Sequence, residues 1–218
     1  MGFHEADSDF LAINRELAKR FYAPARSYPT ATALLSQDAP ASHVYFVMQG
    51  AVKVSFLERS GREIISNVRS ATCVVGADIA ILGTASPFEV TTLTRCEVHQ
   101  FSAECIRQLL RSDACLAFHM TRSLALESLS QARATMSLAH GNARERLIDL
   151  LEQQRICSKE VGPGVGSRGD LLLKKNEIAK LLAVTPEHLS RLIRTLKHEG
   201  VLIPDSRRII LRRPEEKL

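Results

Sequence analysis

The sequence lacks most of the features that stabilise secreted or membrane-embedded proteins. It has no Trp and only five Cys among 218 residues, and the cysteines form no C-x-x-C pair. An odd and scattered set argues against a disulfide framework and against a structural zinc or other metal site. No stretch approaches about 18 uninterrupted apolar residues, and the acidic N-terminus has no apolar run of signal-peptide length. We therefore expect a protein of the reducing cytoplasm with no membrane-spanning segment.

Catalytic motifs are missing as well. The sequence contains no G-x-S-x-G, no H-E-x-x-H and no G-K-[ST] phosphate loop, and its acidic residues are not grouped as catalytic pairs. Gly164-x-Gly166-x-x-Gly169 formally matches a dinucleotide-binding fingerprint. That fingerprint must follow a strand and open a helix, whereas here a helical pattern precedes it and a strand-like LLL follows. We interpret these glycines as a loop and the chain as not an enzyme.

The positive charge is concentrated at one end of the chain. The formal net charge is +5, yet residues 1–140 carry 13 Lys and Arg against 13 Asp and Glu, whereas residues 141–218 carry 16 against 11. A localised basic surplus favours an anionic partner for the C-terminal part, either nucleic acid or a membrane surface. A merely solvated charged surface is the alternative.

Three segments of different composition follow one another and predict an α+β protein. From about Thr30 to Phe101, short β-branched and aromatic stretches alternate with polar turns, as in an antiparallel barrel or sandwich. We expect a domain of antiparallel strands over residues 1–110, a long helix and hinge over 111–140, and a further domain over 141–218.

The middle segment predicts one long helix. Ser102–Ala139 contains no Gly or Pro, and a shorter helix is expected upstream, around Phe10–Phe21. One stripe of the long helix follows a 4,3,4,3,4 spacing, which is typical of the seam of a two-stranded coiled coil. We expect a homodimer, and packing of the stripe on the chain's own barrel of strands is the alternative. The seam residues are Phe118, Arg122, Ala125, Leu129, Ala132 and Met136.

The last 45 residues contain a helix-turn-helix pattern. Asn176–Leu182 predicts a short helix, and Ala183-Val184 predicts a tight turn after it. Thr185 can then cap a second helix, and Pro186 suits the first helical position, where no N–H is needed. Gly200 suits the left-handed residue that follows a helix. Two helices joined by such a short turn form a helix-turn-helix.

The second helix of this pair has an apolar face and a polar face. Leu189, Leu192, Ile193 and Leu196 share the first face and dock the helix on its domain. Glu187, Ser190 and Arg191 lie on the other face, where a carboxylate can accept from cytosine N4 and a guanidinium matches guanine O6 and N7. This spacing favours double-stranded DNA over a membrane partner, and we expect these three residues to contact its bases.

A basic hairpin is predicted after the second helix, over Val201–Arg213. Residues 174–213 contain ten Lys and Arg against four Asp and Glu, a net charge of +6. Phosphate contacts from such residues give affinity and register but carry no sequence information. The expected contacts to the DNA backbone are Lys174, Lys175, Thr185, Arg194, Arg207 and Arg208.

This order of segments, together with the stretch NEIAKLLAVTPEHLSRLIRTLKHEGVL, resembles the Crp/Fnr family of bacterial transcription regulators. The resemblance implies a cupin-like β-roll of the cyclic-nucleotide-binding type, a dimerisation helix, a winged helix-turn-helix, and RNA polymerase as a further partner. Glu187-x-x-Ser190-Arg191 is similar to the E-x-x-S-R pattern of the Fnr branch, which implies a TTGAT-like half-site in an inverted repeat. The cyclic-AMP receptor branch carries Arg where this chain has Pro186.

The effector pocket departs from the pattern that this resemblance implies. Nucleotide-binding members carry a Gly-Glu pair and an Arg-Ser or Arg-Thr pair that hold the ribose and the phosphate. Here Gly76-Ala77 and Ser86-Pro87 stand at those places, without the carboxylate or the guanidinium. We do not expect a cyclic nucleotide in the usual pose, and an Fnr-type iron–sulfur cluster is not expected because no Cys precedes Cys73.

Other signals stay open at this point. Haem is conceivable with His43, His99 or His119 as a ligand, although a lone His is more often an ordinary surface or core residue. Thiol redox sensing through Cys73, Cys96, Cys105 or Cys115 competes with the interpretation of isolated cysteines as small apolar residues. Two alternatives to a regulator controlled by an unidentified signal therefore stay open. One is a haem- or redox-dependent gas-sensing regulator, and the other is a constitutive DNA-binding protein whose β-roll senses nothing.

Overall fold

The computed structural model describes residues 23–70, 73–160, 173–203 and 210–211. They fall into two compact units, Met1–Ser130 and Gln131–Leu218. The expected helix around Phe10–Phe21, the glycine-rich segment at 164–169 and the turn of the C-terminal hairpin lie outside the described residues. Among the described helices, none is both long enough and apolar enough to cross a membrane.

The first unit is built on eight strands in two four-stranded antiparallel sheets, as far as its described residues go. One sheet has the order β1-β8-β3-β6 and the other the order β2-β7-β4-β5. This arrangement confirms the predicted α+β class with an antiparallel β-roll. The strands are β1 (Ala25–Tyr28), β2 (Ala33–Leu35), β3 (His43–Gln49), β4 (Ala51–Leu57), β5 (Glu63–Ser70), β6 (Cys73–Val75), β7 (Glu89–Thr92) and β8 (Cys96–Ser102).

The turn between β3 and β4 depends on glycine. Gly50 has φ +95, and a Cβ placed there would lie 2.5 Å from the carbonyl oxygen of Arg95 and 2.7 Å from Sγ of Cys96. Such distances are far below van der Waals contact, and the left-handed backbone already disfavours other residues. The close approach lets β3 turn directly into β4, which belongs to the other sheet.

Two buried clusters hold the roll together. The cluster between the sheets is lined by β-branched residues such as Val47, Val52 and Val90, which pack well on pleated surfaces. The other cluster joins the roll to its helices, and there Phe46 and Phe101 meet edge to face with ring centroids 5.3 Å apart. Full burial of a side chain such as Val or Phe stabilises the fold by roughly 1.5–3 kcal/mol.

The helices of the first unit differ from the expectation in one respect. They are α1 (Ala77–Leu82), α2 (Ala103–Ser112) and the first part of α3 (Ala114–His140), which continues beyond Ser130. The prediction of one continuous helix over Ser102–Ala139 is wrong, because the chain becomes extended at Asp113, with φ −123 and ψ 97. Oδ1 of Asp113 accepts the backbone N–H of Leu116 at 3.0 Å, so this side chain caps the first turn of α3.

The second unit consists of helices followed by a short antiparallel hairpin. Its elements are α4 (Ala143–Glu160), α5 (Lys175–Leu181), α6 (Pro186–His198), β9 (Leu202–Ile203) and β10 (Ile210–Leu211). Its small core contains leucine and isoleucine side chains from all three helices and from β9. The fully buried members are Leu147, Ile178, Leu189, Leu196 and Leu202.

Candidate functional site

The turn between α5 and α6 fixes the two helices against each other. Ala183 adopts a left-handed conformation with φ +51, and the N–H of Val184 donates to the carbonyl of Ala179 at 2.9 Å. The backbone N–H of Lys174 donates to Oε2 of Glu177 at 2.9 Å and closes the start of α5. These bonds define the geometry of the predicted helix-turn-helix. Leu181 is half-buried, whereas Leu182 is buried.

The start of α6 is capped by its own residues. Oγ1 of Thr185 accepts the N–H of His188 at 3.2 Å, and Pro186 is the first residue of the helix. Glu187 lies in the first turn, where the partial positive charge of the helix dipole favours a carboxylate. Gly200, with φ +72, follows the helix. The sequence predicted the Thr185 cap, the position of Pro186 and the left-handed Gly200.

The two faces of α6 have different roles. Leu189, Ile193 and Leu196 are buried and anchor the helix, and Leu192 is half-buried. The four polar residues of the opposite face are exposed. The hydroxyl of Ser190 donates to the carbonyl of Pro186 at 2.8 Å. The structure therefore brings the predicted base-contacting residues together on one open surface. The exposed residues are Glu187, Ser190, Arg191 and Arg194.

The predicted contacts to the DNA backbone are only partly described. Lys174 and Lys175 are exposed at the start of α5, and Thr185 and Arg194 flank the exposed surface of α6. Arg207 and Arg208 lie outside the described residues, between the paired strands β9 and β10. Their role as backbone contacts stays a prediction from the sequence.

Arg146 is a residue that the sequence analysis did not single out. Its Nη1 donates to the carbonyl of Gly141 at 2.5 Å and its Nη2 donates to the carbonyl of Leu182 at 3.1 Å. It therefore ties the segment that precedes α4 to the end of α5, next to the turn of the helix-turn-helix. An Arg four residues into an amphipathic helix looks like any solvated charge, so no signal in the sequence could have identified it.

The predicted seam of α3 is an exposed surface in the chain as described. Phe118, Leu129 and Met136 are 66%, 56% and 65% exposed. Arg122, Ala125 and Ala132 are exposed as well. In contrast, Leu116 and Met120 of the same helix are buried against the β-roll. The helix thus packs on the β-roll through one face and exposes another face to solvent.

The expected effector cassette lies at the start of α1. Gly76 precedes the helix with φ +82, and a Cβ there would lie 3.1 Å from the carbonyl oxygen of His43. Ala77 is 2% exposed and belongs to the core cluster beside the helices. A buried methyl group offers no hydrogen bond to a ribose hydroxyl.

At the second half of the cassette, the polar groups of Ser86 are hydrogen-bonded within the protein. Ser86 is buried, and its Oγ donates to the carbonyl of Phe88 at 2.6 Å. Its backbone N–H donates to the carbonyl of Ala39, and its own carbonyl accepts from the N–H of Asp38. Pro87 has no backbone donor. The residues at the cassette positions therefore do not fit a cyclic nucleotide in the usual pose.

The candidate haem ligands are separate residues with different surroundings. Nδ1 of His43 lies 2.9 Å from Oγ of Ser42, and Nδ1 of His99 donates to the carbonyl of Ala23 at 2.9 Å. His119 packs edge to face against Phe118. In the described part of the chain, no three His, Cys, Asp or Glu side chains cluster as metal ligands. None of these observations assigns a haem ligand.

The cysteines differ in access to solvent. Cys96 is buried, and burial raises the pKa of its thiol above the ordinary value. Cys73 and Cys105 are half-buried and Cys115 is exposed. Since the thiolate is the reactive form, a raised pKa and burial both make Cys96 inert near neutral pH.

Native Cys96 is expected to react with N-ethylmaleimide at pH 7 at least about a hundredfold more slowly than in guanidinium, because labelling requires local opening of the roll. Peptide mass spectrometry over a time course measures the rate at this site, and the unfolded chain is the internal control. Similar rates in the two states would contradict the placement of Cys96 and would return it to the candidate redox sensors.

Comparisons with known proteins agree with this geometry. The family model of the cyclic nucleotide-binding domain matches residues 25–113, and that of the Crp-like helix-turn-helix domain matches residues 145–216. The cAMP-activated global transcriptional regulator CRP of Haemophilus influenzae is 23% identical, over 84% of this chain and 82% of the relative. The global nitrogen regulator of Synechocystis is 24% identical, over 95% and 93%.

A solved structure shows the same fold. The c-di-GMP responsive global regulator CLP of Xanthomonas campestris superimposes with a TM-score of 0.73 at 23% identity, covering 91% of this chain and 99% of that one. A β-roll of this type followed by a helix-turn-helix defines a DNA-binding transcription regulator and not an enzyme. The chain belongs to the Crp/Fnr family of these regulators.

Proposed function

We propose that the protein is a homodimeric regulator that reads an inverted-repeat DNA site and responds to a signal received by its β-roll. The observation that carries this proposal is the exposed surface of α6, where Glu187, Ser190 and Arg191 project together from a capped and well-anchored helix. A helix held by a buried apolar face and carrying base-reading side chains near its N-terminus suits the major groove.

The surface of α3 supports the dimer. Six exposed positions follow the coiled-coil spacing, and the described part of the chain offers nothing that covers the large apolar ones. A second copy of the same helix is the occupant that fits, since a repeating seam is self-complementary. Dimerisation would present two copies of α6, which two half-sites about one helical turn apart require.

The half-site follows from the pattern on α6. Glu187, Ser190 and Arg191 carry the E-x-x-S-R spacing, so we propose a TTGAT-like half-site in which the Arg191 guanidinium pairs with the guanine. Lys174, Lys175 and Arg194, together with Arg207 and Arg208, would contact phosphates. RNA polymerase is proposed as the further partner and the cytoplasm as the place of action, because that is where such a regulator meets its DNA.

The signal is not a cyclic nucleotide in the usual pose, because Ala77 and Ser86-Pro87 remove the expected contacts. The names of two similar proteins mention different nucleotides, cAMP and c-di-GMP, so related chains respond to different ligands. A constitutive DNA-binding protein is the second candidate, and the same cassette favours it. The two candidates differ in whether any ligand changes DNA affinity.

The half-site proposal predicts a large specificity ratio. The full-length protein is expected to bind a duplex that carries TTGAT half-sites as an inverted repeat, with centres about one helical turn apart, at least about a thousandfold more tightly than a duplex with the same bases in scrambled half-sites. Fluorescence anisotropy at constant salt measures both affinities. Comparing two duplexes removes the nonspecific phosphate contribution, which both share. Equal affinities would contradict the proposed base contacts of α6.

A further inference from the structure

Strand β5 places an arginine on the inner face of the β-roll. Arg69 lies directly opposite Val52 on β4, and residues opposite each other in an antiparallel pair point to the same side of the sheet. Val52 is fully buried in the cluster between the two sheets. The Arg69 side chain therefore starts from the face that lines the interior, and its guanidinium reaches toward the helix that packs on the roll.

The guanidinium contacts two different elements. Nη1 of Arg69 donates to the carbonyl of Val74 on β6 at 3.3 Å, and Nη2 lies 2.6 Å from Oε1 of Glu127 on α3. The two side chains of this ion pair are only 15% and 25% exposed. The pair thus links the roll to the long helix in surroundings where a charge interacts more strongly than at an open surface.

One donor of this guanidinium has no acceptor. Nε of Arg69 is buried and lacks a hydrogen-bond partner. Nε–H and the neighbouring Nη2–H form the edge of an arginine that matches both oxygens of a carboxylate or phosphate. Glu127 accepts from Nη2 but not from Nε, so only one of the two donors on this edge is hydrogen-bonded. An unmet buried donor costs free energy that a better-placed oxyanion would recover.

A second Arg–Glu pair, at the tip of the β4–β5 hairpin, has a different environment. The side chains of Arg62 and Glu58 are 68% and 35% exposed, so water can satisfy their remaining polar atoms. Such a surface pair contributes little. Arg62 and Arg69 thus belong to the same hairpin and each meets a glutamate, but they differ in burial.

Resting on the proposed function, in which the β-roll receives the signal, we propose that Arg69 binds the carboxylate or phosphate group of a small anionic effector, which displaces Glu127. The internal carboxylate occupies the site until an oxyanion meets both Nε and Nη2. Arg69 would then supply the positive charge that Ser86-Pro87 does not, from a different strand of the roll.

The site is placed to affect the dimer surface. Glu127 lies between the seam residues Ala125 and Leu129 in sequence and at the heptad position farthest from the seam. Displacing Glu127 removes an ion pair that ties this turn of α3 to β5. A ligand that binds better after this release shifts the population of α3 positions, as any effector with different affinities for two states must.

Isothermal titration of the full-length protein with inorganic phosphate and, separately, with succinate tests the site, with sodium chloride added to hold ionic strength constant. Wild type is expected to bind at least one of the two. Glu127→Gln is expected to bind that anion about tenfold more tightly, because the competing charge is removed while an acceptor for Nη2 remains. Arg69→Lys is expected to bind it at least about tenfold more weakly, because an ammonium cannot offer the two-donor edge.

Arg62→Lys is the matched control and is expected to bind as wild type does. Binding of succinate alone or phosphate alone would assign the effector to carboxylates or to phosphates. Absence of binding by both wild type and Glu127→Gln would overturn the proposal, and so would binding that Arg69→Lys leaves unchanged. Either result is expected if the ion pair between Arg69 and Glu127 has only a structural role. Since no DNA is present, failure here is distinct from failure of the DNA-binding proposal.

Discussion

Leu129→Asp is expected to convert the protein from a dimer to a monomer at about 10 µM. Leu129 is 56% exposed at the middle of the α3 seam, so the substitution costs little in the isolated chain. In the symmetric dimer it would place two carboxylates at facing positions in an apolar interface, and burying each charge costs several kcal/mol. Dimer affinity should fall at least about a thousandfold.

Light scattering coupled to gel filtration gives the mass directly, and circular dichroism checks that the variant is folded. Leu124→Asp is the matched control, since Leu124 is an exposed leucine of the same helix located about 140° around it from Leu129. The control should keep the dimer mass. A folded Leu129→Asp protein of dimer mass would exclude α3 as the seam.

Arg191→Ala is expected to weaken binding to the TTGAT palindrome by about 1–3 kcal/mol per half-site, roughly 5- to 150-fold, and to relax the choice of base at the guanine. Arg191 is exposed on α6 beside Glu187 and Ser190, so its removal leaves the packing of the helix intact. Anisotropy measurements on duplexes that carry each base at that position resolve the two effects. Equal loss on random duplex would refute the assigned base contact.

Arg194→Ala provides the comparison for that experiment. Arg194 is an exposed arginine on the same helix, one turn further along, and is assigned to a phosphate. Its removal should weaken all duplexes alike and should reduce the slope of log affinity against log salt by about one unit for each phosphate that the protein no longer neutralises. Comparison of Arg191→Ala with Arg194→Ala then distinguishes a contribution to sequence specificity from a contribution to overall DNA affinity.

Local patterns predicted the features that depend on neighbouring residues. Short β-branched and aromatic stretches between polar turns indicated the strands of the roll. The pair Thr185-Pro186 indicated the start of α6, because capping involves residues three apart. The exposed stripe of α3 likewise follows a spacing in the sequence, and its role as a dimer seam stays a prediction. In these cases the physical cause lies within a few residues of its effect.

The break at Asp113 was missed because its residues allow two outcomes. Neither Ser112 nor Asp113 forbids a helix, and only the docking of α2 and α3 into the same core cluster favours the bend over a straight rod. Asp113 then serves as the cap that the bend requires. Propensity was too weak to decide between the two outcomes, and tertiary packing decided it.

The ion pair between Arg69 and Glu127 was invisible for a different reason. The two residues lie 58 positions apart in the sequence, and each alone looks like an ordinary charge in a strand or on a helix. Their meeting depends on the path of the whole roll and on the helix that covers it. The hydrogen bond from Arg146 to Leu182, 36 positions away, has the same origin.

The hydroxyl of Ser190 gives the recognition surface a chemical bias before DNA arrives. Its single proton is directed to the carbonyl of Pro186, so the oxygen faces outward with lone pairs only. In the proposed complex it suits the exocyclic amine of adenine or cytosine, and a thymine or guanine oxygen would require the internal bond to break. Because this hydrogen bond already holds the Ser190 hydroxyl in one orientation, binding an amine costs no further conformational entropy of that side chain. If Ser190 contacts a base as proposed, sites that offer an amine at this place would be favoured among the many competing sites of a genome, without any movement of the helix.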